Sequence, residues 1–68
     1  MENNIIGKSI KANRLERGIS QVTLANAIGV THAAISFWEN GVNIPNIADC
    51  WKMANYMNLK IDELVGRE

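Results

Sequence analysis

The sequence predicts an all-α fold of five short helices. Apolar residues recur every three or four positions, the spacing of one helix face, and no segment alternates apolar and polar residues as a strand does. Residues that start or stop helices separate these segments. A chain of 68 residues buries only about 60% of its unfolded surface, so the core must be compact. We therefore expect residues 1–68 to form a single domain.

The first two helices are marked by the residues at their ends. The first begins after the candidate N-cap Asn4 and ends at Gly18, and the second begins after Ser20 and stops at Gly29. Both carry apolar side chains at helical spacing that we expect to face the core: Ile6, Ile10 and Leu15 in the first, and Leu24, Ala25 and Ile28 in the second.

The third helix begins after Thr31 and ends before Gly41, with Ile35 and Trp38 as its buried pair. Residues 41–45 form a loop, because Pro45 disfavours helix in the residue before it.

The fourth helix opens at Asn46, which with Asp49 resembles a capping box. A short fifth helix covers residues 61–65. The fourth helix carries one expected apolar stripe: Ile47, Cys50, Trp51, Ala54 and Met57. Trp51, Met53 and Tyr56 widen this face, and we expect most of it to be core and some of it to be a dimer contact.

Composition excludes several classes of protein. A lone cysteine cannot form an intrachain disulfide, the start has no basic leader region, and no apolar run reaches the roughly 18 residues of a membrane span. We expect a soluble, cytoplasmic protein. No acid–base pair, nucleophile constellation, phosphate loop or metal-ligand spacing is present, so neither an enzyme nor a cofactor is expected.

The charges balance, with seven Lys and Arg against seven Asp and Glu. Isolated nucleic-acid-binding domains are often strongly basic, so any such binding should be electrostatically weak. The distribution is uneven, however. Four basic residues lie near the start of the chain: Lys8, Lys11, Arg14 and Arg17.

The most informative segment is residues 21–40, QVTLANAIGVTHAAISFWEN. Two helices here are joined by a turn too tight for a flexible linker. Ala25 lets the two backbones approach, Gly29 suits a left-handed turn, and Val30 seals it. This pattern indicates a helix-turn-helix, whose second helix enters the major groove of DNA.

Nearly the whole chain resembles the Cro/CI (Xre-type) helix-turn-helix regulators, which share the lambda-repressor-like fold. The matching pieces are IGKSIKANRLERGISQ, LANAIGVTHAAISFWENG, a single proline followed by a helix, and MNLKIDEL. A match with correct flanking helices is more specific than a 20-residue window. The resemblance implies a DNA-binding surface of Gln21, Thr31, His32, Ala33, Ser36, Phe37, Asn40 and Asn43.

Within that surface the resemblance implies distinct roles. Gln21 contacts a phosphate, the outward residues of the recognition helix (about 32–39) meet base edges, and Asn40 and Asn43 touch the backbone. It also implies that Arg14 and Glu39 form a structural salt bridge. The chain departs from the family where members often carry Lys or Arg, at Phe37, Asn40, Val42 and Asn43, and where a Ser, Thr or Asp often precedes the last helix, at Lys60.

The roles of three side chains have two interpretations each. His32 either donates to a guanine or a phosphate or is a solvated surface histidine. Phe37 either packs on thymine methyl groups or anchors a protein partner. Arg14 is structural first, although its remaining donors can reach a phosphate.

The leading hypothesis is a sequence-specific transcriptional regulator, of the repressor class, that binds a palindromic operator as a homodimer. The alternative is a protein-interaction module of the same fold with little or no DNA affinity. Its partner would bind through Phe37 or through the surface from helix four to the C-terminus.

Overall fold

The computed structural model describes residues 5–66 of the chain, and all of its regular structure is helical. The five helices confirm the predicted fold class: α1 (Ile5–Glu16), α2 (Gln21–Ile28), α3 (His32–Glu39), α4 (Ile47–Tyr56) and α5 (Ile61–Leu64). The predicted N-cap Asn4 lies outside the described residues. None of the described helices is long and apolar enough to cross a bilayer.

Side-chain caps fix where three helices begin, as the sequence predicts. The side chains of Ser20, Thr31 and Asn46 each accept a backbone N–H three residues later, at 3.0, 3.1 and 2.8 Å respectively. Lys60 precedes α5 and has no acceptor in its side chain. The carboxylate of Glu63 instead accepts the backbone N–H of Lys60 at 2.9 Å, which caps this helix from within.

A left-handed glycine ends α2. Gly29 has φ of +78°, and the backbone N–H groups of Gly29 and Val30 both donate to the carbonyl of Ala25, at 2.9 and 3.0 Å. Only residues 29–31 separate the two helices, and α3 begins at His32. This turn sets the angle between α2 and α3.

Each helix contributes one fully buried side chain to a common core: Ile10, Leu24, Ile35, Met53 and Leu64. Ala25, Ile28, Trp38, Cys50, Ala54 and Met57 are the other buried hydrophobic side chains of this core. Most of the side chains predicted to face inward therefore do so. Burying the larger aliphatic side chains contributes about 1.5–3 kcal/mol each.

Four aromatic or aliphatic side chains expected in the core are exposed instead. The exposed fractions are 57% for Leu15, 67% for Ile47, 61% for Trp51 and 45% for Tyr56. On α1, Arg14 takes the inward position, and Leu15 is rotated by about 100° from it. The prediction for Leu15 was wrong because Arg14, paired with a buried carboxylate, occupies the inward position instead.

The buried face of α4 is set by residues 50, 53, 54 and 57. Trp51 and Tyr56 lie on the two opposite flanks of this face, about 110° from its centre, and both are exposed. Ile47 keeps the register of the stripe, but it is the first residue of α4 and lies beyond the buried section. The sequence pattern alone does not show where the covering helices end.

An ion pair buried in the core connects α1 to the end of α3. Arg14 donates from Nε and Nη2 to the two carboxylate oxygens of Glu39, at 2.7 and 3.0 Å. Its Nη1 donates to the carbonyl of Ile19 at 2.7 Å. Both charged residues are at most 6% exposed. Two parallel hydrogen bonds of this kind fix the relative orientation of their helices.

Removing Glu39 should destabilise the protein strongly. Glu39→Ala leaves the Arg14 guanidinium buried without its counter-charge, which costs about 3–5 kcal/mol. Urea unfolding followed by tryptophan fluorescence, in which Trp38 changes from buried to exposed, measures the change. Glu16→Ala is the matched control, because the Glu16 side chain is 76% exposed and its contact with Arg17 is 3.6 Å long. Equal losses in the two variants would contradict a structural role for the buried pair.

The turn at Gly29 should tolerate a side chain sterically but not conformationally. A Cβ atom at Gly29 meets nothing within 4 Å, so the cost of Gly29→Ala is the left-handed backbone, about 1–2 kcal/mol. Gly29→Asn should lose less, because asparagine adopts this conformation more readily. Thermal unfolding by circular dichroism ranks the variants, and an alanine variant as stable as the natural protein would exclude this origin.

Candidate nucleic-acid interface

The third helix presents one face to the core and the opposite face to solvent. Ile35 is fully buried and Trp38 is 7% exposed, so these two side chains hold the helix against its neighbours. The tight turn at Gly29 joins it to α2. The outer face of α3 is therefore carried on a helix whose position and rotation are both fixed.

The outer face of α3 carries the side chains that the sequence predicts to meet base edges. His32, Ala33 and Phe37 are exposed and Ser36 is half-buried. Their spacing of one, four and five residues places them on one stripe of a helix. Asn40 and Asn43 follow the helix and are exposed as well, although no hydrogen bond joins Asn43 to the rest of the surface in the described part of the chain.

Some polar groups on this surface already form hydrogen bonds within the protein. The Thr31 hydroxyl accepts the backbone N–H of Ala34 at 3.1 Å. The side-chain amide of Asn40 donates to the carbonyl of Ser36 at 2.9 Å and lies 3.3 Å from its hydroxyl oxygen. These bonds orient Thr31 and Asn40 before any ligand arrives.

A chain of hydrogen bonds runs from the buried ion pair to the outer face. Gln21 Nε2 donates to Glu39 Oε1 at 2.9 Å, and Gln21 Oε1 lies 2.7 Å from His32 Nε2. The first residue of α2 and the first residue of α3 therefore touch. The sequence does not reveal these contacts, since only the geometry of the turn brings residues 21 and 32 together.

The outer face of α3 carries no positive charge. Glu39 is the only charged residue of this helix, and Arg14 neutralises it. Any electrostatic attraction to nucleic acid would therefore come from other elements.

Two other features of the described residues offer little chemistry. No group of three His, Cys, Asp or Glu side chains in residues 5–66 could hold a metal ion. Burial raises the pKa of the Cys50 thiol, and the neighbouring Asp49 carboxylate raises it further. A thiol with a raised pKa is a poor nucleophile at neutral pH.

A groove of about 360 Å³ lies between α4 and the start of α5. It is lined by Trp51, Ala54, Asn55, Leu59 and Ile61. Trp51 on this surface and Phe37 on the outer face of α3 are both exposed aromatic side chains.

Solved structures of other proteins share this fold. The restriction-modification controller protein C.AhdI from Aeromonas hydrophila matches with a TM-score of 0.85 and 24% identity, over 90% of this chain and 92% of that chain. The P22 c2 repressor, solved in complex with a synthetic operator, matches with a TM-score of 0.82 and 30% identity, over 88% of this chain and 91% of that chain.

Sequence comparison agrees with the structural one. An uncharacterized HTH-type transcriptional regulator of Bacillus subtilis (strain 168), YazB, is 32% identical over 68 residues, which are 100% of this chain and 99% of that protein. The helix-turn-helix family model matches residues 10–64. The chain therefore belongs to the Xre-type helix-turn-helix family, whose members are DNA-binding regulators and not enzymes.

Proposed function

We propose that the protein is a sequence-specific transcriptional repressor that inserts α3 into the major groove of operator DNA. The observation that carries this proposal is the exposed outer face of α3 on a helix locked by Ile35 and Trp38. A rigid helix can present its first turn to base edges without a cost of ordering. The P22 c2 repressor, which shares the fold at 30% identity, is solved with an operator.

Each predicted contact residue has a role in this proposal. Gln21 still has a second amide N–H that can donate to a phosphate. His32, Ala33 and Ser36 face the bases, and Phe37 packs on thymine methyl groups. The remaining proposed contacts are to the sugar–phosphate backbone: Thr31, Asn40 and Asn43.

The neutral recognition helix predicts binding of limited salt sensitivity. Each phosphate that a basic side chain neutralises adds about −0.9 to the slope of log affinity against log salt. With no basic residue on α3, these contacts must come from elsewhere in the protein, and they should be few.

We also propose that the protein acts as a homodimer in the cytoplasm on a palindromic operator. Two recognition helices separated by one turn of DNA read two half-sites, which raises both affinity and specificity. Trp51 is 61% exposed and Ile47 is 67% exposed on one side of α4. These side chains and the adjacent groove supply an apolar surface that a second copy can cover.

A second candidate function rests on Phe37. This side chain is 46% exposed on a helix without positive charge. An exposed aromatic residue in such a place also suits a protein contact. In that case the protein would bind another regulator through α3 and have little affinity for DNA.

DNA titration distinguishes the two functions. Fluorescence anisotropy with the DNA upstream of the protein's own gene should show binding that weakens about tenfold between roughly 50 and 200 mM salt for every two phosphates neutralised. His32→Ala and Phe37→Ala should each weaken it, whereas Leu15→Ala, an exposed apolar residue on α1, should not. Salt-insensitive binding to a protein partner, with no binding to DNA, would favour the second function.

Dimerisation should depend on the α4 surface. Sedimentation equilibrium should give twice the monomer mass for the natural protein and the monomer mass for Trp51→Glu, because a buried carboxylate opposes association. Phe37→Ala should remain a dimer, since Phe37 lies on α3. A Trp51→Glu variant that stays dimeric would place the interface elsewhere.

A further inference from the structure

The hydrogen-bond chain from the buried ion pair to His32 has a fixed direction. An ionised carboxylate only accepts hydrogen bonds. Glu39, paired with Arg14, therefore requires Gln21 to turn its amide nitrogen inward, and the two atoms are 2.9 Å apart. The carbonyl oxygen of Gln21 consequently faces outward, 2.7 Å from His32 Nε2.

This direction determines which ring nitrogen of His32 carries hydrogen. The carbonyl oxygen of Gln21 only accepts, so Nε2 must donate to it. The opposite tautomer would set two lone pairs against each other at 2.7 Å. In a neutral imidazole only one nitrogen donates, and Nδ1 is then an acceptor.

The second nitrogen is available to a ligand. Nδ1 and Nε2 lie on opposite sides of the ring carbon between them, so Nδ1 points away from Gln21. His32 is exposed, and no hydrogen bond to Nδ1 occurs within residues 5–66. Nδ1 is therefore a solvent-exposed hydrogen-bond acceptor on a ring whose orientation is fixed by Gln21.

We infer that Gln21 is a positioning residue that fixes His32 as the Nε2–H tautomer, so that Nδ1 accepts a hydrogen bond from a base amino group in the major groove. Adenine N6 and cytosine N4 are the amino donors there, whereas guanine presents only acceptors. His32 therefore selects adenine or cytosine and not the guanine that its residue type suggests. This inference rests on the proposed DNA-binding function.

The tautomer is measurable without DNA. His32 is the only histidine in the sequence, so its ring nitrogens need no further assignment in a long-range ¹H–¹⁵N spectrum. At pH 8, where an ordinary imidazole is neutral, the natural protein should show a protonated Nε2, an unprotonated Nδ1 and a slowly exchanging Nε2–H signal. An unprotonated Nε2, or an average of the two tautomers, overturns the inference.

Gln21→Met tests whether Gln21 is responsible. Methionine keeps the length of the side chain but cannot hydrogen-bond to the ring, so the Nε2–H signal should exchange rapidly and both tautomers should appear. Asn26→Met is the matched control, because Asn26 is an exposed amide on the same helix. An unchanged spectrum in Gln21→Met removes Gln21 from the proposal, provided that circular dichroism shows the variant folded.

Selection from random duplexes at pH 8 tests the base preference. The natural protein should prefer adenine or cytosine at one position by roughly three- to tenfold, the range of a single hydrogen bond. His32→Ala should lose this preference, Gln21→Met should weaken it, and Asn26→Met should keep it. A guanine preference at that position, or none that depends on His32, overturns the inference. Failure to bind any duplex contradicts the DNA-binding function itself, while the spectra still decide the tautomer.

Discussion

The ion pair between Arg14 and Glu39 is the constraint on which the rest of the structure depends. The pair lies in the core, with Arg14 Nε 2.7 Å from Glu39 Oε2, and it connects α1 to the last turn of α3. Two buried charges add little net stability, because their desolvation offsets their attraction, but they tolerate only one arrangement. The apolar contacts of Ile35 and Trp38 hold α3 against its neighbours. The two hydrogen bonds of the ion pair add a directional restraint at the last turn of this helix. Gln21 connects this restraint to the surface.

Because the domain is small, its core depends on few buried side chains. Each helix supplies one fully buried side chain, and the shortest, α5, has only four residues. With so small a core, the chain relies on caps and on a left-handed glycine to define where its helices begin and end. Large apolar side chains that lie outside this core, such as Trp51, are exposed and can contact other molecules.

Local signals made most of the fold predictable from the sequence. Caps and turn residues depend on chemistry within four positions, which is why Ser20, Thr31 and Gly29 could be interpreted directly. The inward side of α1 could not be, because hydrophobicity alone favours Leu15 over a charged neighbour, and only a distant carboxylate makes that neighbour stable in the core. The contact of Gln21 with His32 likewise depends on the turn between them, so the sequence did not predict that these two interface residues are hydrogen-bonded to each other.

The absence of positive charge on α3 has a consequence for how a regulator finds its target in a genome. Attraction to phosphates acts on every stretch of DNA equally and holds a protein on sites that carry no information. A recognition helix whose single charge is neutralised internally contributes nothing to that background. If α3 reads bases as proposed, a larger share of the molecules stays free in solution and occupancy of the target follows from base contacts, so modest changes in protein concentration set whether the target is filled.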